Sequence, residues 1–263
     1  MNSTLFYTGT FFIYLLVVFL ELVAIISKKD PIHKIAMNLL LVAFLFQSPG
    51  VIIRGIQINF IPLTSTYEAV TFIGWIGALI VYLFYKIKKI DSIVAFFSTV
   101  TLTALYAISS SPIASSEAKP PIPALQSYWL VLHVSFAFIG EVFFILSFAA
   151  AIAYFIVKSE AKKERMDELM YRSILIGFPF FTLGALVFGA IWAKYAWGRF
   201  WAWDPKETWS LITWLIYSAF LHSRYMMKWK GKRSAIIAII AFLAMIFTFF
   251  GVNFLLSGLH SYG

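Results

Sequence analysis

Residues 197–209 read WGRFWAWDPKETW. Trp197, Trp201, Trp203, Trp209 and Phe200 sit there among two cations and two carboxylates. Indole faces offer rigid stacking area together with an N–H donor. Lys194, Arg199 and Lys206 lie in the same segment and suit carboxylates on a ligand's rim, which an arginine can take in a bidentate way. The stretch therefore points to a platform for a large, flat, anionic ligand. The competing explanation is an interfacial aromatic belt, since Trp and Tyr favour membrane–water boundaries. A belt spreads over all helix ends, whereas six of the nine tryptophans fall between Trp192 and Trp214.

The chain has four histidines: His33, His133, His222 and His260. His133 follows QSYWLVL and His260 lies in the terminal GLHSYG. Neutral imidazole is a good iron ligand, and a flat iron macrocycle has two axial positions to fill. The expected picture is a haem against the tryptophan segment, with His133 and His260 on opposite faces. His33, beside Pro31 and Lys34, reads as a solvated loop residue. Asp204 and Glu207 look like catalytic carboxylates, but Asp at N-cap, Pro205 at N1 and Glu at N3 spell a helix start. That reading makes Asp204, Pro205 and Glu207 structural.

The elements that must position these groups are membrane helices. The chain has 263 residues, of which 61% are hydrophobic and 13% charged, and its mean hydropathy is +0.86. Soluble domains carry about 25% charged residues. The apolar stretches approach the ~20 residues of a spanning helix, without the short alternation of an outer-membrane barrel. The pattern predicts an all-α polytopic membrane protein of about eight transmembrane helices: 5–26, 35–53, 67–85, 92–109, 128–157, 173–193, 208–225 and 235–255. The first helix reads as retained, because no basic region or small-residue cleavage site marks a signal peptide.

The net charge of +9 is dispersed in short loops, which argues for membrane topology and against nucleic acid. Lys28, Lys29 and Lys34, then Lys86, Lys88 and Lys89, fall in odd-numbered loops, as do the clusters at 158–172 and 224–233. The positive-inside bias then places both termini, the loop between helices 6 and 7, His133 and His260 on the outer side. His222 falls near the inner end of the seventh span.

Glu141 lies eight residues after His133 on one helix face, and Glu141 and Glu21 are each expected to pair with a polar neighbour or stay protonated. Pro49 and Pro179 should kink their helices. Segment 110–127, rich in Pro and Ser, should be mobile or extended. There is no cysteine, so thiolate ligands and thiol nucleophiles are excluded on this chain. We find no internal repeat and no separate soluble domain; residues 1–263 read as one haem-handling domain, with 194–210 as its aromatic segment.

The run WGRFWAWDPKETWSLITWLIYSAFLHSR (197–224) resembles the tryptophan-rich "WWD" haem-handling membrane proteins. Within them it is most similar to the CcsA (ResC) branch of system II cytochrome c biogenesis. PLTSTYEAVTFIGW (62–75), PALQSYWLVLHVSFAFIG (123–140) and the terminal GVNFLLSGLHSYG extend the resemblance over 54–263. It implies a cytochrome c synthase (haem lyase) component whose cargo is haem b. His133 and His260 match the family's external axial ligands at the WWD site. His222 matches its membrane-embedded histidine, half of an inner site completed by a separate CcsB (ResB) subunit. Haem would pass from the inner to the outer site, where the C-x-x-C-H segment of apocytochrome c adds its thiols across the vinyl groups. The implied location is a bacterial cytoplasmic membrane, or a thylakoid membrane if the chain is plastid-encoded.

Three other functions compete. A bis-histidine electron carrier would want paired histidines at matching depth within one bundle, which the positions here do not supply. A CcmC- or CcmF-type haem-handling protein shares the WWD idea with different flanks. A transporter of small anions could use Arg199 and Lys206, but leaves the aromatic excess unexplained.

Overall fold

The computed structural model describes residues 2–88, 90–111 and 114–256, and helices form nearly all of its regular structure. Among the described residues, seven helices are long and apolar enough to cross a membrane: Ser3–Ser27, Asp30–Ile58, Thr66–Ile87, Ser92–Ser110, Tyr128–Ile156, Glu160–Trp197 and Lys232–Leu255. The eighth expected span is also helical, as Pro205–Tyr225. Its hydropathy is diluted by a charged first turn and by Thr213, Ser218, His222 and Arg224. The helices gather into two compact units, Met1–Gln126 and Ser127–Gly263.

The first unit holds α1 (Ser3–Ser27), α2 (Asp30–Ile58), α3 (Thr66–Lys88) and α4 (Ser92–Ala107). The Asn2 side chain caps α1 by accepting from Thr4 N–H. Lys28, in left-handed conformation at φ 56°, turns the chain so tightly that α2 starts two residues later. His33 therefore falls inside α2, not in a solvated loop. It is only 8% exposed. Its Nδ1 lies 2.8 Å from the carboxylate of Glu21 on α1, and its Nε2 donates to the Ile90 carbonyl at 3.0 Å. The loop reading fails because the partners that desolvate His33 are remote in sequence.

Arg54 also belongs to a helix, one turn before the end of α2, and is 2% exposed. It donates from Nε to Glu68 at 3.0 Å and from its two terminal nitrogens to the carbonyls of Ser116 and Glu117, at 2.7 and 2.9 Å. The second oxygen of Glu68 accepts from the backbone and hydroxyl of Thr64 and from Ser65 N–H. Arg54 thus pins the extended Pro/Ser segment to this helix end.

The second unit holds α5 (Tyr128–Ile156), α6 (Glu160–Phe181), α7 (Gly189–Trp197), α8 (Pro205–Tyr225), α9 (Lys232–Ile246) and α10 (Val252–Leu255). Two π-helical segments interrupt it, Thr182–Phe188 between α6 and α7 and Phe247–Gly251 between α9 and α10. Small residues let α5 and α6 approach closely. A Cβ on Gly140 would lie 2.7 Å from Phe181 N, and one on Gly184 would lie 2.2 Å from Ala137 N. Tyr217 of α8 stacks on Phe144 of α5, with centroids 3.6 Å apart. At the far end of α8, buried Arg224 pairs with Asp167 at 2.7 Å, and Asp167 also accepts from Gly231 N–H at 2.7 Å.

Candidate functional site

The start of α8 is built by local chemistry. Asp204 accepts from Lys206 N–H at 3.1 Å, and Glu207 Oε2 reaches back to the Asp204 N–H at 3.3 Å, forming a capping box with Pro205 in the first turn. The same oxygen accepts from Ala202 N–H at 2.7 Å. Orphan amides at a helix start are thereby satisfied. Gly198, at φ 79°, ends α7. Trp203 adopts φ 57°, a left-handed conformation rare for a bulky residue and of a kind found at functional sites. That reversal brings the Ala202 amide onto Glu207.

Next to this turn lies a small cleft. His133 and Trp192 line it together with Phe200, Trp201, Lys206 and Glu207, and its small positions include Gly189. His133 sits in the second turn of α5. Its Nδ1 donates to the Gly184 carbonyl at 2.8 Å, which makes Nε2 the basic nitrogen of the ring, the arrangement seen behind metal-ligating imidazoles. Gly184 belongs to the first π-helical segment, whose i→i+5 pattern re-aims backbone groups and recurs at functional sites. The His133 ring lies parallel to Trp192, at 6° with centroids 6.0 Å apart, and Trp192 meets Trp197 edge to face at 4.8 Å. A Cβ on Gly189 would come within 3.0 Å of His133 Nδ1, so that glycine makes the room in which the imidazole stands.

Of the residues expected from the sequence, His133, Trp201 and Lys206 share this cleft. Lys206 Nζ donates to Asn253 Oδ1 at 3.1 Å, and Glu141 of α5 is buried. Trp197 reaches the cleft through Trp192. Trp203 is 69% exposed and packs edge to face on Trp201. Arg199 is exposed on the same loop. Trp209 packs on Phe247 instead, at 4.3 Å. His222 lies on the exposed side of α8, fifteen residues after Glu207. His260 lies outside the described residues.

Sequence reasoning missed Gly184, Gly189, Trp192 and Asn253 as parts of this site. Trp192 carried a signal, since it opens the tryptophan cluster five residues before the quoted motif.

A family model described as "Cytochrome C assembly protein" matches residues 63–260. The chain is 39% identical over 242 residues to the cytochrome c biogenesis protein CcsA of Chlamydomonas reinhardtii, covering 86% of this chain and 66% of that protein. It is 37% identical over 241 residues to CcsA of Guillardia theta, covering 80% of this chain and 79% of the relative. The chain belongs to the CcsA family of cytochrome c assembly proteins. Among solved structures, a cytochrome c haem lyase CcmF superposes with a TM-score of 0.69 at 21% identity, covering 95% of this chain and 47% of the other. That likeness concerns the fold, a polytopic all-helical membrane architecture shared by this CcsA-family chain, which spans about half the length of the CcmF chain.

Proposed function

We propose that this chain is the haem-presenting component of a cytochrome c synthase. Haem b is its cargo and occupies the cleft beside α8, with His133 Nε2 as one axial ligand and His260 as the other. The observation that supports this reading is the His133 constellation: a tautomer fixed by Gly184, an indole parallel to the ring, and a lysine and a buried carboxylate in the same cleft. Trp197, Trp201 and Trp203 supply stacking surface, and Lys206 and Arg199 supply cations for the propionates. Trp209 holds the start of α8 against Phe247, which keeps Lys206 in place.

His222 is proposed as an inner ligand. From Asp204 it lies 18 residues along α8, about 27 Å at 1.5 Å per residue, close to the ~30 Å thickness of a bilayer core. Its exposure on α8 leaves it accessible to a second subunit, and CcsB (ResB) is the partner proposed to complete that site. The side of the membrane carrying the cleft would be periplasmic in a bacterium or lumenal in a thylakoid.

The cleft's task is to position haem with its vinyl groups accessible to the C-x-x-C-H segment of apocytochrome c. Holding both reactants in register lowers the barrier through proximity. The test is co-expression with and without a CcsB partner, reading covalent haem on a reporter cytochrome c. Covalent haem only in the presence of both subunits is expected; equal product without this chain overturns the reading.

A further inference from the structure

We propose that Lys228 binds the propionates of haem at the inner site, so that the macrocycle lies along the exposed face of α8 with its carboxylate edge at the inner membrane surface. The proposal rests on the reading of His222 in the preceding subsection. It adds the orientation of the haem and the residue that fixes it.

One stripe of α8 is exposed. Leu215, Ala219, His222, Tyr225 and, at the C-cap, Met226 are all exposed. Their spacing of i, i+4, i+7, i+10 and i+11 puts them on one helix face, while Tyr217, Phe220 and Arg224 are buried. Ala219, one turn before His222, carries only a methyl group, which leaves a flat ligand room to lie against the helix beside the imidazole.

Lys228 lies past the end of α8 but returns to this face. It is left-handed at φ 54°, and its Nζ lies 5.1 Å from the centroid of the Tyr225 ring. Tyr225 follows His222 by three residues, about 4.5 Å along the helix axis, and helical side chains tilt back toward the N-terminus. The ammonium therefore stands on the His222 face, on the side nearer the inner surface. Internal contacts hold the loop in this course. Arg224 donates to the Trp229 carbonyl at 3.1 Å and pairs with Asp167 at 2.7 Å, and Asp167 accepts from Gly231 N–H at 2.7 Å. Arg224 is thus engaged and buried, whereas Lys228 is exposed and pairs with no carboxylate among the described residues.

The positive-inside bias explains why cations occur in this loop. It does not explain one folded back over an aromatic ring beside an exposed imidazole. The face calls for an occupant with an apolar body, an atom that binds imidazole and an anionic end. Haem has all three, with both carboxylates on one edge. Carboxylates are costly in the bilayer core, so that edge belongs at the interface, where Lys228 stands. The vinyl-bearing part of the ring then points along α8 toward the outer side.

The test titrates haem and haem dimethyl ester, which lacks the propionate charges, into vesicles holding the full chain and its partner subunit. The His133→Gly background keeps the outer site from contributing, and Soret absorbance reads binding. Lys228→Gln should weaken haem binding by about 10-fold, the effect of one charge-assisted hydrogen bond, and leave ester binding unchanged; Lys228→Arg should restore the preference for haem. An equal effect of Lys228→Gln on both ligands, or none on either, overturns the proposal. So does an effect seen in vesicles containing phosphatidylglycerol but absent in pure phosphatidylcholine, which would assign the lysine to a lipid headgroup. Undiminished binding of both ligands in His222→Ala overturns instead the inner-site reading on which the proposal rests.

Discussion

His133 donates its Nδ1–H to the carbonyl of Gly184, 51 residues away in sequence and 2.8 Å away in space. The carbonyl lies in a π-helical segment, and the glycine itself fits against Ala137 where no side chain could. One residue thus sets both the helix spacing and the imidazole tautomer. Two substitutions separate those roles. Gly189→Ala brings a methyl within 3.0 Å of His133 Nδ1 without entering a backbone contact of α5. It should fold and weaken haem binding by about 10–100-fold, the effect typical of outer-shell partners. Gly184→Ala, aimed at the Ala137 backbone, should instead prevent accumulation of folded protein. Haem titration of purified Gly189→Ala and a membrane immunoblot of Gly184→Ala check the pair.

The capping box predicts an ordering at Asp204. Asparagine or serine can accept the Lys206 amide, whereas alanine cannot. Asp204→Ala should therefore lose about 1 kcal/mol relative to Asp204→Asn or Asp204→Ser. Thermal unfolding in detergent reads the difference. Equal destabilisation in all three would show that the side-chain acceptor at Asp204 is not what holds the start of α8.

Arg54 should govern the 114–127 segment. Removing one partner of a buried ion pair strands the other and costs about 3–5 kcal/mol. Arg54→Gln also abandons the carbonyls of Ser116 and Glu117. A Glu-specific protease should then cut after Glu117 faster than in the parent chain. Unchanged cleavage would show that the segment is held by other contacts.

His222 should be dispensable for folding. Its side chain is exposed on α8, whereas the adjacent Ser223 and Arg224 are buried. His222→Ala should leave the unfolding free energy within about 0.5 kcal/mol of the parent, as surface changes do, and lower the haem recovered with the complex. Unchanged haem occupancy would exclude an inner ligand at this position.

What was legible in the sequence was local or periodic. Apolar runs of bilayer length located the helices, and the order Asp204, Pro205, Glu207 announced the start of α8 because caps involve neighbours. The tryptophan cluster marked the cleft wall for the same reason. His33 was misread because Glu21 lies twelve residues before it and Ile90 fifty-seven after it; no local pattern reports such partners. The π-helical segment 182–188 left no trace either, since one i→i+5 turn does not change hydrophobic period. Hence nothing in the sequence marked Gly184 or Gly189, and Lys206, expected at the rim, is directed to Asn253.

The central claim, that His133 ligates haem iron in this cleft, is tested most directly by the absorption spectrum of purified His133→Gly with and without imidazole. A lost or shifted Soret band that imidazole restores, together with covalent haem on a reporter cytochrome c, is predicted. A parental spectrum and parental cytochrome c maturation in the variant without imidazole would contradict it.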